Sequence, residues 1–330
     1  MGWTTLTPTS TGAAFTSRPP PLTNGKRKLP KRRPAGCERK IVAAWRGFPS
    51  WETDCKNSLK HLINLMPRNL QKKNLSKEIS IRAADNNVVP AAFVSNNSVG
   101  LVILSHGITT GKEEDGVYTE FAERILAPTF DSIRFDFRGH GESREPSRDV
   151  TVCGEILDFM AVVRWARERK YSKLFHVGTS FGASVTLLSL AHFSFHDFAS
   201  VVFWNPVISY RNTFINATVP WAQELFNQRT ADELAYRAGT KIPETNFVVG
   251  PRMAMELLNL RPEETKWPSN LPLLIIHGDH DTSVPHADAV EYCKRYPSAT
   301  LHTLPGVDHG FDDKIAEAYG KTLEWFRQHA

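Results

Sequence analysis

The sequence predicts an α/β protein, with a mostly parallel central sheet, helices on both faces and an inserted cap. Three observations lead there. From Leu75 onward, short apolar runs alternate with amphipathic stretches, as in chains whose helices cross over between parallel strands. One run, Gly100-Leu101-Val102-Ile103-Leu104, is apolar without interruption, the pattern of a strand covered on both faces. Between Asn205 and Asn270 the alternation lapses into a stretch rich in Trp, Phe, Pro and Arg, which reads as an insertion over one edge of the sheet.

The elements follow in order. Ser80 to Ala83 and Val88 to Val94 flank Asp85-Asn86-Asn87 and read as strand, turn, strand, antiparallel and leading the sheet. After the apolar strand at 100–104 comes a helical pattern over Tyr118 to Leu126, then a strand over Ser132 to Phe137. Val150 to Lys170 places Ile156, Leu157, Met160, Val163 and Trp165 mainly at three- and four-residue steps, which marks an amphipathic helix. Leu174 to Val177 is a strand and Phe181 to Ala191 a helix. Further strands are expected at Ser200 to Trp204, Leu271 to Ile276 and Thr300 to Leu304, with a closing helix over Ile315 to Gln328. Within the insertion, helical pieces are expected near Trp221 to Leu225 and Arg252 to Leu260.

The predicted organisation is a disordered basic extension over 1–65, a core over 66–206 and 269–330, and a cap over 207–268. The net charge of +5 suggests a nucleic-acid partner until it is divided along the chain. Residues 1–48 carry ten Lys or Arg against a single acid, Glu38, so this stretch is +9 and the remainder −4. A mildly acidic body without a basic stripe gives no footprint for nucleic acid. The extension, with Pro19-Pro20-Pro21 and the cluster from Lys26 to Arg33, lacks the apolar area to offset its conformational entropy. It reads as a solvated tail or a stretch upstream of a start at Met66, as an organelle-import peptide, or as a basic nuclear-type address. Cys37, Cys55, Cys153 and Cys293 are far apart and show no metal spacing, so they are expected as reduced thiols in a cytoplasmic protein that holds no metal or cofactor. No run approaches the roughly 18 apolar residues that span a bilayer.

The sharpest motif is Gly178-Thr179-Ser180-Phe181-Gly182, between an apolar strand and a helical run. A serine on such a sharp turn presents its hydroxyl at the strand end, and the glycines give the neighbouring backbone room to approach. A hydroxyl is a weak nucleophile and needs a base, which needs an orienting carboxylate. The strand at Leu273 to Ile276 runs into His277-Gly278-Asp279-His280-Asp281, and Gly306-Val307-Asp308-His309-Gly310 follows the last strand. Asp279 and Asp281 both qualify as the acid; Asp281, further out on its loop, is preferred, and Asp279 then steadies the turn. His302 lies inside a predicted strand, whereas His309 sits in a loop beside glycines and is preferred as the base. Donors to an oxyanion are expected from the backbone N–H of Phe181, at the positive end of its helix, and of Ile108, in the loop Ser105-His106-Gly107-Ile108. His106, Arg138 and His140 are read as holding loops in place.

These motifs, in register with Asp136-Phe137-Arg138-Gly139-His140-Gly141-Glu142-Ser143 and Asp281-Thr282-Ser283-Val284-Pro285, resemble the α/β-hydrolase superfamily. Within it the chain is similar to the branch of feruloyl esterases and of serine aminopeptidase-like and monoacylglycerol lipase-like hydrolases, over about residues 78–206 and 270–330. The resemblance implies a triad of Ser180, Asp281 and His309, oxyanion donors at Ile108 and Phe181, no cofactor, and a small-molecule ester, thioester or small amide as substrate. It departs at Ala183, where many relatives have a second glycine, and it does not reach the cap. A small-molecule-binding protein on the same scaffold, with negligible turnover, is the competing expectation.

Overall fold

The computed structural model describes residues 75–330 apart from 191–192, 194–196 and 237. The expectations for residues 1–65 lie outside the described residues. Eight strands form one sheet: β1 Ser76–Arg82, β2 Val88–Val94, β3 Gly100–Ser105, β4 Asp131–Phe135, β5 Lys173–Thr179, β6 Phe198–Trp204, β9 Leu273–Gly278 and β10 Ala299–Leu304, in the order β1-β2-β4-β3-β5-β6-β9-β10. β1 and β2 pair antiparallel around Asn86, whose φ of 72° makes the turn, and β2 lies antiparallel to β4. All the other pairs are parallel.

The helices cover both faces. α1 Val117–Glu120 runs on as a wider π-helical segment to Leu126, and α2 Val152–Glu168 is capped by Thr151, whose hydroxyl accepts from Gly154 N at 3.0 Å. α3 Phe181–Leu190 opens directly off β5. The strands alternate as a pleated sheet requires. Leu101, Ile103, Val201 and Phe203 join Phe159 and Trp165 in one apolar cluster, while Val102, Leu104, Val202 and Trp204 join Tyr118, Phe121, Tyr319 and Phe326 in the other. Trp204 is buried at the centre of the second cluster, edge-on to Phe121, with its indole N–H donating to Thr322 Oγ1 at 2.9 Å.

Between β6 and β9 come α4 Pro220–Leu225, α5 Gln228–Tyr236, a two-stranded hairpin of β7 Thr240–Lys241 and β8 Val248–Val249, and α6 Pro251–Asn259. The two helices expected in this segment sit within one residue of their predicted bounds. α5 and the hairpin were not legible, nor was α7 His286–Arg295 between β9 and β10. α8 Ile315–Gln328 closes the chain as expected.

The order of strands places the site. From β3 the chain moves first to β4 on one side and then to β5 on the other, so the loops after β3 and β5 part across a crevice at the carboxyl ends of the strands. The neighbouring loop after β4 is pinned from below. Arg138 grips Asp158 of α2 with two bonds, Nε to Oδ2 at 3.0 Å and Nη2 to Oδ1 at 2.8 Å, and reaches Asp85 at 2.8 Å. The Asp158 side chain is fully buried and that of Arg138 8% exposed, so removing Asp158 leaves a buried guanidinium with the more exposed Asp85 in place of its two buried bonds. Asp158→Ala is expected to lower stability by about 3–5 kcal/mol in urea unfolding. Lys294→Ala, which breaks the exposed pair with Glu291, should change it by less than about 1 kcal/mol.

Candidate active site

Ser180 stands between the last residue of β5 and the first of α3, with φ +51°. A non-glycine residue resists that left-handed conformation, and the surroundings impose it. Its N–H donates to Trp204 O at 2.9 Å, and its carbonyl accepts from Val207 N at 3.0 Å and Ala183 N at 3.2 Å. Gly182 allows the first turn of α3 to lie against the end of β3: a Cβ there would stand 2.6 Å from the carbonyl oxygens of both Ser105 and His106. The strand, the turn and the β3 loop therefore meet at one point.

The serine hydroxyl lies 3.1 Å from His309 Nε2, and His309 Nδ1 lies 2.8 Å from Asp281 Oδ2. Asp281 is fixed further by Ser283 N at 2.8 Å and Val284 N at 2.7 Å on its other oxygen, and by His277 Nε2 at 3.0 Å. Burial, the largest single influence, pushes the Asp281 pKa up; the bonds from His277 and His309 together outweigh it and hold the carboxyl well below its usual range. On His309 burial works downward, and the hydrogen bond and charge of Asp281, helped by Glu114, raise the imidazole above its ordinary value. The loop that carries His309 is tied to its neighbours. Asn205 donates to His309 O while accepting from Gly278 N, and Asp308 Oδ1 accepts from both Thr282 N and His309 N at 2.8 Å.

The alternatives fall elsewhere. Asp279 accepts from Gly306 N at 2.6 Å and so steadies a turn, and His302, on β10, meets Glu317 at 3.0 Å. His277 went unrecognised in the sequence although it stands in His277-Gly278-Asp279 at the end of β9. A buried histidine at a strand end is by itself no signal, and only the fold shows that it shares an oxygen of Asp281 with His309.

The loop after β3 lies against the serine, since a Cβ on Gly107 would be 3.4 Å from Ser180 Cβ. Its polar groups are almost all occupied. Gly107 N donates to Glu114 Oε2 at 2.9 Å, and Ile108 O faces His140 Nε2 at 2.8 Å. His106 Nε2 accepts from Phe137 N at 3.0 Å, so its proton sits on Nδ1, which donates to Gly107 O at 2.7 Å. In a trans peptide the carbonyl and the next N–H point in opposite directions, so this bond turns Ile108 N–H away from His106. Ile108 N–H and Phe181 N–H have no partner among the described residues.

Ser180 and His309 open into a cavity of about 610 Å³, to which the segment between β6 and β9 contributes Thr213, Phe214, Trp221, Ile242 and Glu244. Glu114 also lines it, and burial pushes its carboxyl up to about 7 against the pull of Gly107 N–H and the Thr110 hydroxyl. Glu114 was missed because the run Lys112-Glu113-Glu114-Asp115 reads as a solvated charged loop. Its inward turn comes from positive φ at Glu114 (44°) and Asp115 (52°).

A doubly wound sheet with a serine turn after β5, a carboxylate after β9 and a histidine after β10 is the arrangement of the α/β-hydrolases. Within that class the chain belongs to the family described as serine aminopeptidase, S33, whose model matches residues 96–311. The human protein named serine hydrolase BPHL is 26% identical over 207 residues, which are 60% of this chain and 70% of that protein. Among solved structures, ferulic acid-bound Est1E from Butyrivibrio proteoclasticus aligns with a TM-score of 0.64 at 21% identity, covering 76% of this chain and 98% of its own. The Pyrococcus furiosus esterase Pf2001 aligns at 0.56 and 22% identity, covering 81% and 96%. Among the described residues no helix is long and apolar enough to cross a membrane.

Because Asp281 raises the His309 pKa, Asp281→Asn should lower it. An NMR titration of the imidazole in both proteins measures the change, and a value that stays put would show that the pair is not electrostatically coupled.

Proposed function

We propose that this hydrolase-family protein cleaves a carboxylic ester through an acyl-enzyme, with Ser180 as nucleophile, His309 as base and Asp281 as the group that orients and stabilises the imidazolium. The observation that carries the reading is the unbroken chain from Ser180 Oγ to His309 at 3.1 Å and from His309 to Asp281 at 2.8 Å. In the first step Ser180 Oγ bonds to the carbonyl carbon as its proton passes to His309 Nε2, and the oxyanion is received by Ile108 N–H and Phe181 N–H. Collapse of the tetrahedral intermediate breaks the ester C–O bond, and His309 returns the proton to the leaving alkoxide. Water then repeats the sequence and releases the acid and the free serine. The unpartnered state of those two N–H groups supports their assignment, since any internal acceptor would have to be displaced first.

An ester fits better than an amide for a chemical reason. One proton from His309 serves either leaving group, but an ester carbonyl is less stabilised by resonance than an amide's and an alkoxide departs more readily than an amine anion, so the ester makes the smaller demand on the site. The name of one structurally similar protein, the esterase Pf2001, points the same way. Thioesters and small amides are the next candidates. In this reading residues 66–206 and 269–330 form the catalytic body and residues 207–268 a cap that shapes the acyl and alcohol pockets, with Phe214 and Trp221 as apolar walls.

Ser180→Ala is expected to cut turnover of short p-nitrophenyl esters by about 10⁴- to 10⁶-fold and to abolish fluorophosphonate labelling. Undiminished labelling would place the nucleophile elsewhere. A burst of one product per wild-type chain, with no further turnover, would instead make the protein a binding scaffold.

The pH dependence follows from His309. The base must be neutral to accept the serine proton, and its pKa is raised, so kcat/KM should climb with rising pH through a midpoint above about 6.5. A rate that falls across that interval would contradict the assignment of the base.

A further inference from the structure

His140, in the loop after β4, is buried, its ring stacked on Phe247 at 4.7 Å and set edge-on to His106 at 4.9 Å. Both of its nitrogens face carbonyl oxygens: Nδ1 lies 2.8 Å from Arg138 O, and Nε2 lies 2.8 Å from Ile108 O. A carbonyl brings no hydrogen, so each nitrogen must supply its own. A neutral imidazole has one N–H and would press a lone pair against the second carbonyl at hydrogen-bond distance. The ring that satisfies both contacts is the imidazolium.

A buried cation needs a counter-charge. Glu155, in the first turn of α2 and fully buried, places Oε1 3.7 Å from His140 Nδ1, and neither of its oxygens has a hydrogen-bond partner among the described residues. A protonated Glu155 would leave its O–H without an acceptor, whereas the carboxylate gains the attraction of the ring beside it. Stacking on Phe247 favours the charged ring as well.

We propose that His140 and Glu155 form a buried imidazolium–carboxylate pair that fixes the loop carrying Ile108, which makes His140 a positioning residue for the oxyanion. A charge-assisted N–H on Ile108 O, beside the His106 and Glu114 bonds to Gly107, ties three of the loop's polar groups and leaves Ile108 N–H to the cavity. Burial opposes the pair and is the largest influence on both groups, leaving His140 below and Glu155 well above their ordinary values, so the ground for the charged ring is the geometry of two carbonyl oxygens facing its two nitrogens. Arg138 O, Ile108 O, Asp136 and Asp158 act upward on His140; on Glu155, Arg138 acts downward while Asp158 and Glu256 add to the rise. The charge state belongs to the pair alone; its catalytic consequence rests on Ile108 being an oxyanion donor.

The test is the ¹H–¹⁵N spectrum of the imidazole side chains of the full-length protein at pH 8, with the His140 peaks assigned by their loss in His140→Gln and by their ring-current shift in Phe247→Leu. Two N–H peaks with both nitrogens in the protonated range are expected for His140, and a single N–H would overturn the pair. In Glu155→Gln one N–H should vanish and kcat should fall about 10-fold, with KM changed less than about 2-fold, a fraction of the effect of deleting an oxyanion donor. An unchanged kcat would overturn the positioning role. If Glu155→Gln fails to fold, the wild-type spectrum still decides the charge state. Fluorophosphonate labelling of Ser180 separates the two readings: a single N–H with intact labelling removes the pair and leaves the hydrolase, and two N–H peaks without labelling do the reverse.

Discussion

Ser180 holds a backbone conformation that an L-residue resists at about 1–3 kcal/mol, and the structure around it is arranged to keep it there. The turn is compressed between β5 and α3, its N–H tied to the end of β6 and its carbonyl to Ala183 and Val207. Gly182 is the condition for this. Only a residue without a Cβ lets α3 approach the carbonyls of Ser105 and His106, and that approach brings the β3 loop up to the serine. The same contact that strains the Ser180 turn thus sets where Ile108 can be.

Around that point the polar groups are satisfied almost to completion. Asp281 accepts four hydrogen bonds, so it remains an anion despite its burial and can sustain a positive imidazole beside it. The β3 loop is held through Gly107 N, Gly107 O and Ile108 O by three different side chains, drawn from its own continuation, from its start and from the loop after β4. Two N–H groups next to the serine, those of Ile108 and Phe181, have no partner among the described residues. In the proposed mechanism such preorganised donors would act on developing charge without reorganising during the reaction.

Much of this was legible in the sequence because it is local. The elbow pentapeptide carries its own turn, the strands carry their own apolar pattern, and the acid and histidine follow strand ends that periodicity marks. What escaped notice depends on contacts distant in sequence. His277 matters because Asp281 turns back four residues to meet it, Glu114 because two left-handed residues fold an apparently solvated acidic run inward, and Glu155 because the loop after β4 sets a histidine above the first turn of α2. The two-residue strands of the hairpin are too short to read, whereas α5, nine residues and amphipathic, was missed inside a predominantly polar stretch. The placement of the insertion was legible only as an interruption.

The insertion reaches further than the walls of the cavity. Phe247, beside the short hairpin, stacks on His140, and Glu256 of α6 accepts from the N-terminal N–H groups of α2, one turn from Glu155. The segment that supplies Phe214 and Trp221 to the cavity therefore also packs on the groups that hold Ile108. A ligand that shifts Phe214 or Trp221 would bear on the same segment whose other edge packs on His140, which faces Ile108 O. If the proposed function holds, selectivity among acyl groups should reside as much in how they seat the insertion as in the volume they fill, because the insertion packs both on the cavity and on His140.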